Sequence, residues 1–84
     1  MFELLYSPGW DVHFSRMDKS VQAPIIKKIK QLVFLGKTRH LEHGLPFFVV
    51  ECGQYRICFK EKDNKRIVVF VGDHKQYEKW YESQ

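Results

Sequence analysis

The chain has 84 residues, 44% of them hydrophobic and 15% aromatic, so it can bury one modest core and is expected to form a single domain over residues 1–84. Its net charge of +4 favours an anionic partner, although a charged solvent-exposed surface explains the excess about as well. Its two cysteines are too few for a disulfide framework, and no apolar run approaches the roughly 18 residues of a membrane span.

The N-terminal segment and the cysteines indicate where the protein acts. The opening stretch, MFELLYSPGW, lacks a basic region followed by an apolar core, so no signal peptide is expected. Cys52 and Cys58 lack CxxC spacing and are not predicted to be cross-strand neighbours, so both should be reduced thiols. These features predict a soluble, cytoplasmic protein that does not contact a membrane.

The first part of the chain predicts a strand followed by two helices. Residues 2–6 form an apolar run typical of a strand. Ser7 and Pro8 suit the N-cap and first turn of a short helix, whose apolar face carries Trp10, Phe14 and Met17.

Residues 18–36 predict the longer of the two helices. Lysines lie away from its apolar stripe, where they would form a solvent-exposed face. Pro24 should fall in the first turn or kink the helix, and Gly36 should end it. The stripe consists of Val21, Ile25, Ile29, Leu32 and Val33.

Residues 37–46 predict a polar loop that holds Arg39, His40 and His43. The HLEH stretch in this loop faintly resembles a metal site. No second cluster of ligands occurs in a zinc spacing, however, so we expect neither a metal nor another cofactor.

Three strands follow, over residues 47–52, 55–61 and 66–71, with turns at Gly53-Gln54 and Asp63-Asn64. This register places Arg56 opposite Val71 on one neighbouring strand and opposite Glu51 on the other. Alternation divides the side chains between two faces. The face expected to pack on the helices carries Phe48, Val50, Tyr55, Ile57, Phe59, Val68 and Phe70. The other carries Phe47, Val49, Glu51, Arg56, Cys58, Lys60, Ile67, Val69 and Val71.

The apolar centre of that second face is too large to remain in water, so the C-terminal segment or a partner should cover part of it. Asp73 and Gln76 have capping-box spacing, which predicts a short helix over residues 74–82. The predicted fold class is therefore α+β. It has a small antiparallel sheet of about four strands, two N-terminal helices on one face and a short C-terminal helix, in the order β-α-α-β-β-β-α.

Functional side chains converge at one end of the last hairpin. Arg56 supplies a fixed cation and His74 a titratable imidazole, and aromatic residues follow on the last helix. The aromatic residues are Tyr77, Trp80 and Tyr81.

Three stretches carry a resemblance to a known family, namely SVQAPIIKKIKQL, GQYRICF and VGDHKQY. With these stretches in this order, nearly the whole chain resembles the RelE/ParE superfamily of small bacterial and archaeal toxins. The resemblance implies an antiparallel sheet with helices on one face and a concave, basic opposite side. RelE-like members cut mRNA in the ribosomal A site and are neutralised by a wrapping antitoxin. ParE-like members instead inhibit DNA gyrase and are not nucleases.

The resemblance also implies roles for individual residues. Arg56 matches the strand arginine that contacts the scissile phosphate in RelE-like enzymes. His74 falls where RelE-like nucleases have a functional arginine and the YafQ branch a catalytic histidine. Tyr77, or Trp80 further on, matches the C-terminal aromatic that orients a base or the reacting sugar.

One departure from the family shapes the expected mechanism. RelE carries lysines on its second strand, whereas this strand reads FFVVEC. A nuclease mechanism would therefore depend on histidine, with His74 as general acid or base and His43 as the second proton-transfer group. The residues expected to bind RNA are Arg39, His40, Lys75, Lys79, Trp80 and Tyr81.

Ordinary structural roles remain open for the main candidates. Arg56 can pair across the strands with Glu51, His74 can be an exposed first-turn residue, and Trp80 can dock the last helix on the sheet. The histidines favour a metal-independent mRNA endonuclease, and the missing strand lysines favour a gyrase inhibitor. An inactive nucleic-acid-binding relative is the third alternative.

Overall fold

The fold is a sheet flanked by helical segments, and the computed structural model describes residues 1–36, 39–40 and 46–84. Within these ranges five strands lie side by side in the order β1-β5-β4-β3-β2. The strands are β1 (Glu3–Tyr6), β2 (Arg39–His40), β3 (Phe48–Cys52), β4 (Tyr55–Lys62) and β5 (Lys65–Asp73). The helical segments are a 3-10 turn (Phe14–Arg16), α1 (Lys19–Gln31) and α2 (His74–Glu82). The α+β class expected from the sequence is confirmed.

The sheet is mixed, unlike the antiparallel sheet that was expected. Strand β1 runs parallel to β5, with Leu5 opposite Ile67, while the pairings of β2, β3, β4 and β5 with one another are antiparallel. The helical segments after β1 lead the chain to β2 at the opposite edge of the sheet, and the antiparallel strands that follow bring β5 back beside β1. Hydrophobic alternation identifies a strand but does not reveal its direction relative to a neighbour.

The prediction of a first helix after β1 is wrong except for one short 3-10 turn. Gly9 has a φ of +85°, in the left-handed region, so residues 8–13 form successive turns and only Phe14–Arg16 is helical. The apolar side of this segment still packs as expected, because Trp10 and Phe14 lie ring to ring with centroids 5.1 Å apart and contact the core.

Helix α1 agrees with its predicted apolar stripe, since Ile25 and Ile29 are buried against the sheet. The helix begins at Lys19, further ahead of Pro24 than expected, so the proline lies inside the helix and not in its first turn. The carbonyl of Ser20, which Pro24 cannot bond, belongs to an exposed residue and can be hydrated. No helix in the described part of the chain is long and apolar enough to cross a membrane.

A β-bulge changes the register of the last hairpin. Pairing across the turn holds from Lys62 to Phe59, but it shifts by one residue between Cys58 and Phe59. Arg56 therefore lies opposite Gly72, not opposite Val71 as alternation predicted. The extra residue in β5 reverses the alternation of side chains, so the two residues after it lie on the faces opposite to those predicted. Val71 packs in the helix-side core and Phe70 on the opposite face.

Helix α2 covers the second apolar face of the sheet, as expected for the C-terminal segment. Its aromatic residues pack on a buried cluster that lies across β3, β4 and β5. The predicted capping box is present, since the amide of Gln76 donates to Asp73 and the amide of Asp73 donates to the Gln76 side chain, each at 2.9 Å. The buried cluster consists of Phe47, Val49, Cys58 and Phe70.

Arg66 is a fully buried arginine on the helix-side face of β5, and the sequence interpretation overlooked it. Its Nε and Nη2 contact Glu61 Oε1 at 2.8 and 2.7 Å, and its Nη1 donates to the carbonyl of Leu32 at 2.9 Å. The guanidinium also lies 3.8 Å from the centre of the Phe2 ring. These contacts join the end of α1, the β4–β5 hairpin and the N-terminus.

Candidate functional site

The candidate site lies where β4 begins, β5 ends and α2 starts. Antiparallel pairing places Arg56 on β4 between Glu51 on β3 and Gly72 on β5. Because Asp73 caps α2 immediately after Gly72, the first turn of the helix starts beside the arginine. The predicted pairing with Glu51 depends on the Gly53-Gln54 turn and is confirmed.

The Arg56 side chain is held by two loose contacts. Its Nη1 lies 3.9 Å from Glu51 Oε2, and its guanidinium carbon lies 5.7 Å from the centre of the Tyr77 ring. Among the described residues the guanidinium makes no hydrogen bond, and 19% of the side chain is exposed. Its N–H donors can therefore reach a phosphate in the planar, bidentate geometry that arginine favours.

His74 is the first residue of α2 and is exposed. Its Nε2 lies 2.8 Å from Glu78 Oε1, one helical turn later. The i,i+4 spacing of these two residues was a sequence signal for this pair, but the sequence interpretation did not use it. The contact orients an imidazole that remains accessible to solvent and to a ligand.

The aromatic residues of α2 have different surroundings. Tyr77 lies against Arg56 and 5.9 Å from Tyr81, measured between ring centroids. Trp80 stacks on Phe70 with centroids 5.0 Å apart and meets Phe47 edge-on at the same distance. Trp80 thus has the packing contacts expected of a residue that docks α2, while a contact of Trp80 with RNA stays a prediction.

The remaining predicted site residues lie on α2, on β2 or outside the described ranges. Lys75 and Lys79 are exposed on α2. Arg39 and His40 form β2, a short strand where the sequence predicted only a loop, and β2 pairs with β3 rather than with β4. His43 and most of the HLEH stretch lie outside the described residues. In the part that is described, no group of three His, Cys, Asp or Glu side chains could hold a metal ion.

Cys58 lies on the same face as Arg56, two residues further along β4, but it is not suited to nucleophilic chemistry. Burial raises the pKa of its thiol to about 12, against a smaller lowering by the Arg56 charge. The thiol is therefore protonated at neutral pH and acts as an apolar core residue. Within the described residues, Arg56, His74 and Tyr77 remain as the candidate reactive groups.

Comparisons with known proteins give a result at the level of structure only. No protein-family model matches the sequence, and no curated protein matches it either. A chain of the intact E. coli RelBE toxin–antitoxin complex superposes with a TM-score of 0.72 at 14% identity, covering 87% of this chain and 96% of that chain.

Two other solved structures give similar values. The isolated E. coli RelE toxin has a TM-score of 0.70 at 13% identity, covering 99% of this chain and 98% of its own. A chain of the Methanococcus jannaschii RelB–RelE complex has a TM-score of 0.71 at 12% identity, covering 92% and 98%. This chain therefore has the fold of the RelE toxins.

Proposed function

We propose that this protein is the toxin of a toxin–antitoxin pair and an mRNA endoribonuclease that acts on the ribosome. The main support is Arg56, whose donors form no hydrogen bond with any described residue and which lies beside Tyr77 where α2 begins. The likeness to RelE, seen both alone and in complexes with an antitoxin, supports the same conclusion. We further propose that it acts in the cytoplasm on mRNA in the ribosomal A site and that an antitoxin binds and inhibits it.

Cleavage would proceed through the RNA 2′-hydroxyl without a metal. A base removes the proton of the 2′-hydroxyl, the 2′-oxygen attacks phosphorus, and the departing 5′-oxygen takes a proton from an acid. His74 is the proposed acid or base and His43 its proposed counterpart. Arg56 would stabilise the charge that builds on the phosphorane, and Tyr77 would orient a base or the reacting sugar.

A second candidate function is inhibition of DNA gyrase without nuclease activity. It is favoured by β3 and the residue before it, which read FFVVEC and carry none of the lysines that serve RelE chemistry. In the gyrase interpretation Arg56 and the lysines of α2 would contact a protein, and His74 would have no chemical role.

The deciding experiment is cell-free translation of a defined message with purified protein, followed by primer extension to map new mRNA 5′ ends. Cuts within translated codons are expected from the wild type. Arg56→Ala should reduce the cleavage rate about 30- to 1,000-fold, the equivalent of roughly 2–4 kcal/mol of transition-state stabilisation. His74→Ala should also abolish most cleavage.

Lys62→Ala is the matched control, because Lys62 is an exposed residue at the opposite end of β4. It should cut like the wild type. Intact message with the wild-type protein would refute the nuclease proposal, and a supercoiling assay would then test inhibition of gyrase.

A further inference from the structure

A second surface lies on the side of α2 away from Arg56 and Tyr77. It is a groove of about 710 Å³ with its floor on β5 at Val69 and Phe70. The segment after β1 forms one wall and α2 forms the other. We call it the α2 groove, and its polar and aromatic lining residues are His13, Arg16, Gln76, Lys79, Phe70 and Trp80.

Positive charge from two separate elements meets in the α2 groove. Arg16 comes from the 3-10 turn and Lys79 from α2, and neither side chain forms a hydrogen bond or ion pair with any described residue. His13 adds an imidazole, edge-on to Phe70 with ring centroids 5.8 Å apart. None of the described residues that line the groove is acidic. An anionic ligand would therefore meet charge that no described residue compensates.

The periodicity of α2 separates this groove from the candidate site. Residues four apart share a helix face, so Tyr77 and Tyr81 lie together on the side that contacts Arg56. Gln76 and Lys79 lie on the other side and line the groove. A single strand that leaves the candidate site around the start of α2 would thus meet a second basic surface.

We propose that the α2 groove binds the phosphate backbone of single-stranded RNA beyond the cleavage site. Proteins that follow a single strand without reading its sequence use a positively charged groove that tracks the backbone, and Arg16 and Lys79 supply that charge here. This inference rests on the proposed function, since both take RNA as the ligand. It concerns binding alone, however, and can be tested without cleavage.

The test measures binding of a fluorescent, single-stranded 2′-O-methyl RNA, which cannot be cleaved, by anisotropy over a range of salt concentrations. Each phosphate contact contributes about 0.7 to the slope of log affinity against log salt for a single strand. Replacing both cations in R16A/K79A should lower the slope by about 1.4 and weaken binding about 25-fold at about 0.1 M salt. Unchanged thermal unfolding of this variant would establish that it is folded.

The matched control is K62A/K65A, which removes two exposed lysines at the tip of the β4–β5 hairpin. It should weaken binding much less than R16A/K79A. Equal losses in the two variants, or no RNA binding by the wild type, would overturn the proposal. A poly-glutamate peptide that binds more tightly than RNA and depends on Arg16 and Lys79 would also overturn it, in favour of an acidic protein segment.

The result for RNA binding by the α2 groove can be distinguished from the result for mRNA cleavage. Intact message in the translation assay, combined with weaker RNA binding by R16A/K79A, would reject the nuclease and retain the groove. Cleavage by the wild type, combined with unchanged RNA binding by R16A/K79A, would support the nuclease and reject the groove.

Discussion

Replacing the buried Arg66 should destabilise the protein more than most single substitutions. Its guanidinium contacts Glu61 through two nitrogens and donates to the carbonyls of Leu32 at 2.9 Å and Gly36 at 3.4 Å. Arg66→Met preserves much of the apolar volume but removes every one of these donors. The carbonyl of Leu32 is then left buried without its partner, and Glu61 loses its counter-charge.

The magnitude follows from these contacts. A hydrogen bond from a charged donor contributes about 1.5–3 kcal/mol, and the stacking of Arg66 on Phe2 adds roughly 0.5–2 kcal/mol. Glu61 is 27% exposed, so water can partly solvate its carboxylate once the arginine is gone. We therefore expect a loss of about 3 kcal/mol, at the lower end of the range for buried ion pairs broken on one side. For a chain of 84 residues this is a large share of a stability of about 4–13 kcal/mol.

Urea unfolding at neutral pH, followed by tryptophan fluorescence, measures this loss directly. Lys65→Met is the matched control, since Lys65 is an exposed neighbour on the same strand and its replacement should change stability by about 0.5 kcal/mol or less. The double variant Arg66→Met with Glu61→Gln should recover part of the loss by removing the unpaired carboxylate. A loss within about 1 kcal/mol of the control would refute the argument that the buried guanidinium is essential.

Three further changes test other parts of the fold by equilibrium unfolding. Gly72→Ala should cost about 1–3 kcal/mol, because its new Cβ would lie 2.5 Å from Phe70 Cζ, whereas Gly36→Ala meets nothing within 4 Å and should be nearly neutral; equal losses would contradict this. Asp73→Ala should cost about 1 kcal/mol by removing the cap of α2, and no loss would show that the cap is not needed. Burial raises the pKa of Cys58 from 9.0 to about 12, so the thiolate forms more readily in the unfolded chain and stability falls as pH rises through that window. Between about pH 8 and about pH 10.5 the wild type should lose roughly 2 kcal/mol more than Cys58→Val, and parallel pH curves would argue against the raised pKa.

The parts of the fold predicted well are those specified by local sequence. The spacing of Ile25 and Ile29 located the buried face of α1, and Asp73 with Gln76 located the start of α2. The Gly53-Gln54 turn fixed the pairing of β3 with β4, since Gly53 adopts the positive φ of 60° that such a turn requires. In each case residues within one turn or hairpin carry the signal.

The parts predicted poorly depend on contacts distant in the chain. The bulge at Val69 has no mark in the local pattern, because a run of apolar residues fits either face of the sheet. The burial of Arg66 was accessible from its alternation with Val68, but its partners Leu32 and Gly36 come from another part of the chain. Arg16 was not predicted to share a groove with Lys79 for the same reason.

The bulge in β5 determines which residue lies opposite Arg56 in the candidate site. Without it Arg56 would lie opposite Val71, whose side chain would occupy the face that α2 covers. With it Arg56 lies opposite Gly72, which has no side chain, and the helix can begin close to the sheet. Phe70 then turns to the same face and stacks under Trp80, which fixes α2 over the sheet and brings Tyr77 to the arginine. One extra residue in β5 thus places the cation, the aromatic ring and the first turn of the helix together, which is the arrangement on which the proposed phosphate chemistry depends.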